Sequence, residues 1–335
     1  MENRLLGCIV GGAIGDALGY EVEFWLQKEI EEQYGILDRY ILHEGKALIS
    51  DDTQMTLFTM EGLIQEGEDI LDSIYNAYLD WLKTQQYKTI QKGRSSLLEF
   101  QELYSQRAPG YTCLSVLEAN ERGSIYRPIN HSKGCGGIMR VAPIAFLKED
   151  ILFKDQLAAQ VSALTHGHPL GYIPSAYHVH ILSRLLEGYT LMDAIKDANR
   201  VIPSIFEGSE KLIQLIEDAI TLSKNTLSDV KNISLLGQGW VAEETLAIAL
   251  YCCLRYEKDF NKAIVASVNH DGDSDSTGLV TGNISGLLTG YDKIEKQWKD
   301  SLECMDIICM ECKKFIEKLN NCLHIKDGHD IIWRR

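Results

Sequence analysis

The sequence predicts an all-α fold, and three observations carry that expectation. Apolar residues recur at spacings of three and four in many segments, period-two alternation of strand length is scarce, and only six prolines interrupt 335 residues. The first candidate helix, Leu5–Leu18, is apolar but has a single early Arg4, contains Asp16 and runs into GDALGYEVEF without a signal cleavage pattern. It reads as a helix of the mature protein. Helical spacing then returns in Met55–Ile64, Ile70–Leu82, Leu157–Ala163, Ile173–Leu186, Leu212–Leu222, Glu243–Leu254 and Ser301–Leu319. Breaks are expected at Gly110, Pro128–Gly137, Gly167–Pro169, Pro203 and Gly237–Gly239. No linker or charge run divides the chain, so residues 1–335 are expected to form a single many-helix domain.

Two of the helical segments carry glycine at every fourth position: Gly7, Gly11, Gly15 and Gly19, then Gly278, Gly282, Gly286 and Gly290. Each glycine costs a helix about 0.5–1 kcal/mol relative to alanine, so two such ladders need an offsetting use. A row without side chains lets two backbones approach closely. The ladders are therefore expected to pack on each other and to bring the acidic residues at their ends together.

Composition narrows the function classes. The 48 acidic residues outnumber 33 basic ones, for a formal charge of −15, which disfavours sequence-independent nucleic-acid binding. No stretch is expected to reach the roughly eighteen apolar residues that span a bilayer, so a cytoplasmic protein without a membrane partner is expected. Nine scattered cysteines suit reduced thiols. Cys304, Cys309, Cys312 and Cys322 have the order of an iron–sulfur site, but Cys309 and Cys312 share helical spacing with Leu302, Met305, Phe315 and Leu319, which favours apolar helix positions.

Two acidic stretches carry the chemistry. Ser50-Asp51-Asp52-Thr53 precedes a helical run; one of these residues suffices as an N-cap, and two adjacent carboxylates flanked by hydroxyls exceed that need. Asp271-Gly-Asp273-Ser-Asp275-Ser-Thr277 is not a calcium-binding EF-hand loop, because Ser276 and Gly282 stand where glycine and glutamate are required. Together the stretches supply hard oxygen ligands without histidine or cysteine, favouring magnesium or manganese over zinc. They offer more ligands than one octahedral ion needs, so a two-metal site is inferred. Gly134-Cys-Gly-Gly137 is a glycine-rich loop suited to holding a phosphate through backbone amides, and Thr165-His-Gly-His-Pro169 places His166 and His168 at a helix-breaking turn.

With GGAIGDALGYEVEF (11–24), SDDTQM (50–55), RAPGYTCLSVL (107–117), SKGCGGIMRVAPI (132–144), LTHGHPLGY (164–172), GWVAEETLAIAL (239–250) and NHDGDSDSTGLVTGNISG (269–286) in this order, the chain resembles the ADP-ribosylglycohydrolase family over nearly its whole length. The resemblance implies an all-α fold with a central binuclear centre of Mg2+ or Mn2+. It carries metal ligation to Ser50, Asp51, Asp52, Asp273, Asp275 and Ser276, leaving Asp271 outside. It makes Glu23 the candidate carboxylate for proton transfer, with Asp52 as the other. Ser132, Gly134 and Gly136 match a loop around the pyrophosphate and ribose, and His166 matches a histidine near the ligand. Cys135 replaces an asparagine of several relatives. The implied partner is the ADP-ribose moiety of a modified protein, with ADP-ribosyl-arginine as the leading linkage. Serine linkages, other conjugates and a noncatalytic ADP-ribose binder are the alternatives. Where arginine-type relatives carry Asp-Ile-Gly after the tryptophan matched by Trp81, this chain reads Tyr87-Lys-Thr-Ile-Gln91, which leaves arginine specificity open.

Overall fold

The computed structural model describes residues 1–65 and 69–321. Its helices in chain order are α1 (Glu2–Gly19), α2 (Gln27–Tyr34), α3 (Asp51–Ile64), α4 (Ile70–Gln86), α5 (Tyr111–Glu118), α6 (Ile151–Ala163), α7 (Pro169–Leu186), α8 (Leu191–Ile205), α9 (Glu210–Leu222), α10 (Asp229–Leu236), α11 (Ala242–Arg255), α12 (Phe260–Val268), α13 (Ser274–Thr289), α14 (Lys296–Asp300) and α15 (Met305–Asn321). Among the described residues the only β pairings are isolated bridges. The all-α expectation therefore holds.

The centre of the molecule is the α1–α13 pair. A Cβ on Gly7 would collide with the Gly286 carbonyl, one on Gly11 with Gly282, one on Gly15 with Gly278 and one on Gly19 with Ser274. Numbers rise along α1 as they fall along α13, so the helices run antiparallel with their backbones in direct contact. That arrangement requires residues without side chains at the seam. Gly290 departs from the ladder: it ends α13 with a φ of +78° and lies beside Asn3. The seam sets the C-terminal end of α1 against the N-terminal end of α13, where the site lies.

Several expectations change. By length and composition, Glu2–Val22 is apolar enough to cross a membrane, contrary to the sequence reading, but 83% of its most apolar 18-residue stretch is buried against protein. Pro203 does not break the chain; it lies in the last turn of α8, where the only intrahelical bond it forgoes is its own. The glycine loop, with the apolar run after it that reads as a helix from its sequence, is not α-helical. Cys135–Arg140 and Ala142–Phe146 form two 3-10 helices, the second with Pro143 in its first turn, where the missing N–H forgoes no helical bond. Of the cysteine quartet, Cys304 precedes α15, Cys312 is buried within it and Cys309 is half-buried, whereas Cys322 lies outside the described residues.

Candidate active site

Three helix ends build the site. Ser50 caps α3, accepting from the Asp52 N–H at 3.1 Å, and Asp273 caps α13, accepting from the Ser276 N–H at 3.1 Å. Helix N-termini favour negative charge, which places carboxylates naturally in both first turns. Asp16, near the end of α1, braces α3 rather than its own helix: its carboxylate accepts from the Ser50 N–H at 3.0 Å, the Thr53 N–H at 3.2 Å and the Thr53 hydroxyl. This bond set ties α3 to the glycine seam.

Carboxylates converge there. Ligand oxygens of Glu23, Asp273 and Asp275 all lie within 4.8 Å of one another. Asp52 joins them through Oδ2, which accepts from the Ser276 hydroxyl at 2.7 Å. Asp51 Oδ2 accepts from the Gly110 N–H at 3.2 Å. Asp271 points elsewhere: its Oδ1 accepts from the Gln27 N–H at 2.6 Å, anchoring the start of α2. Gly272 between these aspartates has a φ of +114° and passes so close to the Gln238 carbonyl that no side chain fits.

Electrostatics of the cluster are unfavourable without compensation. Burial first, then repulsion from Asp275, Asp273 and Asp51, pushes the Glu23 carboxyl up to about 11. Burial and Asp275 likewise raise Asp51, Asp52 and Asp273 well above the carboxylate range. Asp16 is lifted to about 7 by burial and Asp275 against the opposing donors of Thr53 and Ser50. Glu23 is 8% exposed and its Oε2 has no hydrogen-bond partner among the described residues. A buried acceptor of that kind beside other carboxylates, in an all-oxygen donor set, fits a hard divalent cation.

The cluster floors a cleft of about 290 Å3. Its walls include Gly134, Cys135, Gly136 and His166, together with Asp51, Asp52, Asp273, Asp275 and Ser276. Two expected site residues stand behind the wall: Ser50 is fully buried, and Ser132 hydrogen-bonds the Thr112 hydroxyl at 3.0 Å. Cys135 turns its thiol onto Asp273 Oδ2 at 2.8 Å, and burial raises that thiol far above its usual range. His168 caps α7 by accepting from the Leu170 N–H at 3.0 Å. Sequence reasoning passed over the aromatic rim. Phe24 and Trp240 stack with centroids 5.5 Å apart and planes 21° apart, and Tyr111 is 84% exposed. All three lie inside segments singled out as motifs, and their solvent exposure is what the sequence hid.

The model of the family described as ADP-ribosylglycohydrolase matches residues 1–328. The chain belongs to the ADP-ribosylglycohydrolase family. It is therefore an enzyme of the ADP-ribosyl glycohydrolase class. It is 24% identical to the ADP-ribosyl-[dinitrogen reductase] glycohydrolase of Rhodospirillum rubrum, over 90% of this chain and 91% of that protein. It is 25% identical to human ADP-ribosylhydrolase ARH3, over 90% and 89% respectively. A solved structure titled ADP-ribosylglycohydrolase-related protein complex shares the fold, with a TM-score of 0.69 at 22% identity, covering 95% of this chain and 98% of that one.

Proposed function

We propose that this glycohydrolase cleaves ADP-ribose from modified protein side chains in a reaction that depends on divalent magnesium or manganese, with ADP-ribosyl-arginine as the leading substrate. The observation that carries this reading is the convergence of Glu23 with Asp273 and Asp275, with an unpartnered Glu23 Oε2, beneath a glycine-rich cleft. Asp51, Asp52, Asp273, Asp275 and Ser276, with Ser50 behind them, would hold two ions, and Glu23 is close enough to share one. Bound cations supply positive charge that offsets the carboxylate repulsion and orients sugar hydroxyls.

The chain's own residues account for the remaining chemistry. Hydrolysis places a water's hydroxyl on the anomeric carbon, breaks the bond to the side-chain nitrogen and returns one proton to that leaving group. Glu23, through Oε2, or Asp52 takes the proton from water and relays it. The glycine loop would offer a diphosphate the backbone N–H groups of Gly136 and of Gly134, the latter held loosely by Ser132 Oγ at 3.4 Å, and His166 lines that end of the cleft. Phe24 and Trp240 at the rim offer a face for a planar guanidinium, which favours arginine over serine as the leaving residue.

The test is release of free ADP-ribose from ADP-ribosyl-arginine and ADP-ribosyl-serine peptides with magnesium, manganese or chelator. Release from the arginine peptide that chelator abolishes is the expected result. Tight ADP-ribose binding with no release from either peptide would replace this reading with a binding protein, and faster release from serine would overturn the arginine preference.

A further inference from the structure

Arg140 is fully buried, yet among the described residues no carboxylate pairs with it. An uncompensated buried guanidinium is costly, so what it touches is informative. Its Cζ lies 4.4 Å from the Tyr78 ring centroid, and Nη1 points at the sulfurs of Met55 and Cys113, each at 3.6 Å. Nη2 donates to the Val161 carbonyl at 3.1 Å and, more closely, to Thr165 Oγ1 at 2.7 Å.

That last bond decides where the threonine proton goes. With one lone pair occupied by Arg140, the Thr165 hydroxyl can donate to His166 Nδ1 at 2.8 Å, to the Ser162 carbonyl at 3.5 Å or to the Cys113 sulfur. The carbonyl lies at the limit of a hydrogen bond and a thiol sulfur is a weak acceptor, so the proton is assigned to Nδ1. A neutral imidazole that accepts at Nδ1 carries its own proton on Nε2. This edge faces the glycine loop: an added Cβ would stand 3.5 Å from Nε2 at Gly134 and 3.3 Å at Gly136. His166 lines the cleft, and its Nε2 has no protein hydrogen bond among the described residues. Burial first, then the Arg140 charge, lowers the imidazole to about 3, in keeping with a ring that stays neutral.

We propose that Arg140 and Thr165 are positioning residues that lock His166 as its Nε2–H tautomer, making it a fixed neutral donor to an oxygen of the diphosphate-ribose in the cleft. The inference rests on the reading of the cleft as an ADP-ribose site. It leaves His166 no part as a base beside Glu23 and Asp52, because its only basic nitrogen is occupied by Thr165. It also gives the buried guanidinium a use: Arg140 fills the threonine lone pair and opposes a second proton on the ring.

Nitrogen-15 NMR of histidine-labelled, ligand-free protein reads the tautomer directly, with the His166 signals assigned by their loss in His166→Gln. The wild type should show a pyridine-like Nδ1 and a pyrrole-like Nε2. Thr165→Val should give mixed tautomers and weaken ADP-ribose binding, measured by calorimetry with magnesium present, by about tenfold. Thr165→Ser should restore both. The amide of His166→Gln supplies a donor near the Nε2 position whatever residue 165 is, so adding Thr165→Val to it should change the ADP-ribose Kd less than about twofold. A wild-type ring protonated at Nδ1, or an equal loss of binding from Thr165→Val on both backgrounds, would overturn the proposal. Should Thr165→Val not fold, the wild-type spectrum and Thr165→Ser still decide it. Failure of the wild type to bind ADP-ribose would sink the ligand reading instead, leaving the tautomer to be judged from the spectrum.

Discussion

The α1–α13 seam and the carboxylate cluster at its end are built from the same two helices by opposite means. Along the seam, side chains are deleted so that backbones touch, and nothing chemical remains. At its end, one turn beyond Gly278 and one loop beyond Gly19, charged side chains crowd together at the expense of their own electrostatics. The first arrangement maximises packing, and the second accepts local instability for chemistry. The difference teaches where stability and activity should separate on mutation.

The largest effect belongs to the seam. Gly15→Val forces a branched side chain into the Gly278 backbone and should cost more than about 4 kcal/mol, leaving little folded protein in a urea titration. Gly110→Ala, which has open space around its Cβ and an ordinary φ of −58°, should stay within about 0.5 kcal/mol of wild type in the same titration. Comparable losses from both would erase the special status of the seam.

Next comes the cluster, where the two readouts should move in opposite directions. Asp275→Asn removes the charge that raises its neighbours Glu23, Asp51, Asp52 and Asp273. Metal-free protein should then melt a few degrees higher, while ADP-ribose release falls at least about 100-fold. A lower melting temperature in chelator would show that the carboxylates support the fold rather than strain it.

A buried acid away from the cleft sharpens the contrast. Burial, then the Glu61 hydrogen bond, lifts Glu311 on α15 to about 8. The folded state thus keeps a proton that the unfolded chain releases near pH 4. The Glu311 contribution to stability should fall as pH rises from about 4 to 8 and level off above that. Glu311→Gln should flatten this slope in urea titrations at successive pH values without changing metal dependence. The smallest effect is expected at the rim, where Trp240→Ala should raise KM for an arginine-linked substrate by about three- to tenfold and leave the melting temperature unchanged.

What the sequence disclosed followed local spacing. Four-residue glycine intervals announced the seam, and paired aspartates beside hydroxyls announced both acidic turns, because each signal lies within one turn of chain. What it withheld depends on chain reversals. Nothing local says that Asp16 braces α3, that Asp271 holds α2, or that Glu23 meets Asp273 and Asp275. Arg140 was hidden differently: within Ile138-Met-Arg-Val-Ala it looks like one charge on an apolar run, and only its burial against Thr165 gives it a purpose. Pro203 and the apolar length of α1 misled because tertiary packing, not propensity, decided both.

The antiparallel seam joins α1 to α13, with eleven helices between them in the chain. Until α13 has emerged, α1 is a long apolar helix with its glycine face uncovered, and Glu23, Asp51 and Asp52 have no Asp273 or Asp275 to meet. Contacts of such sequence separation carry a high closure entropy and form late in folding. Activity therefore cannot precede synthesis of α13, and the apolar α1 is made well before the helix that covers it.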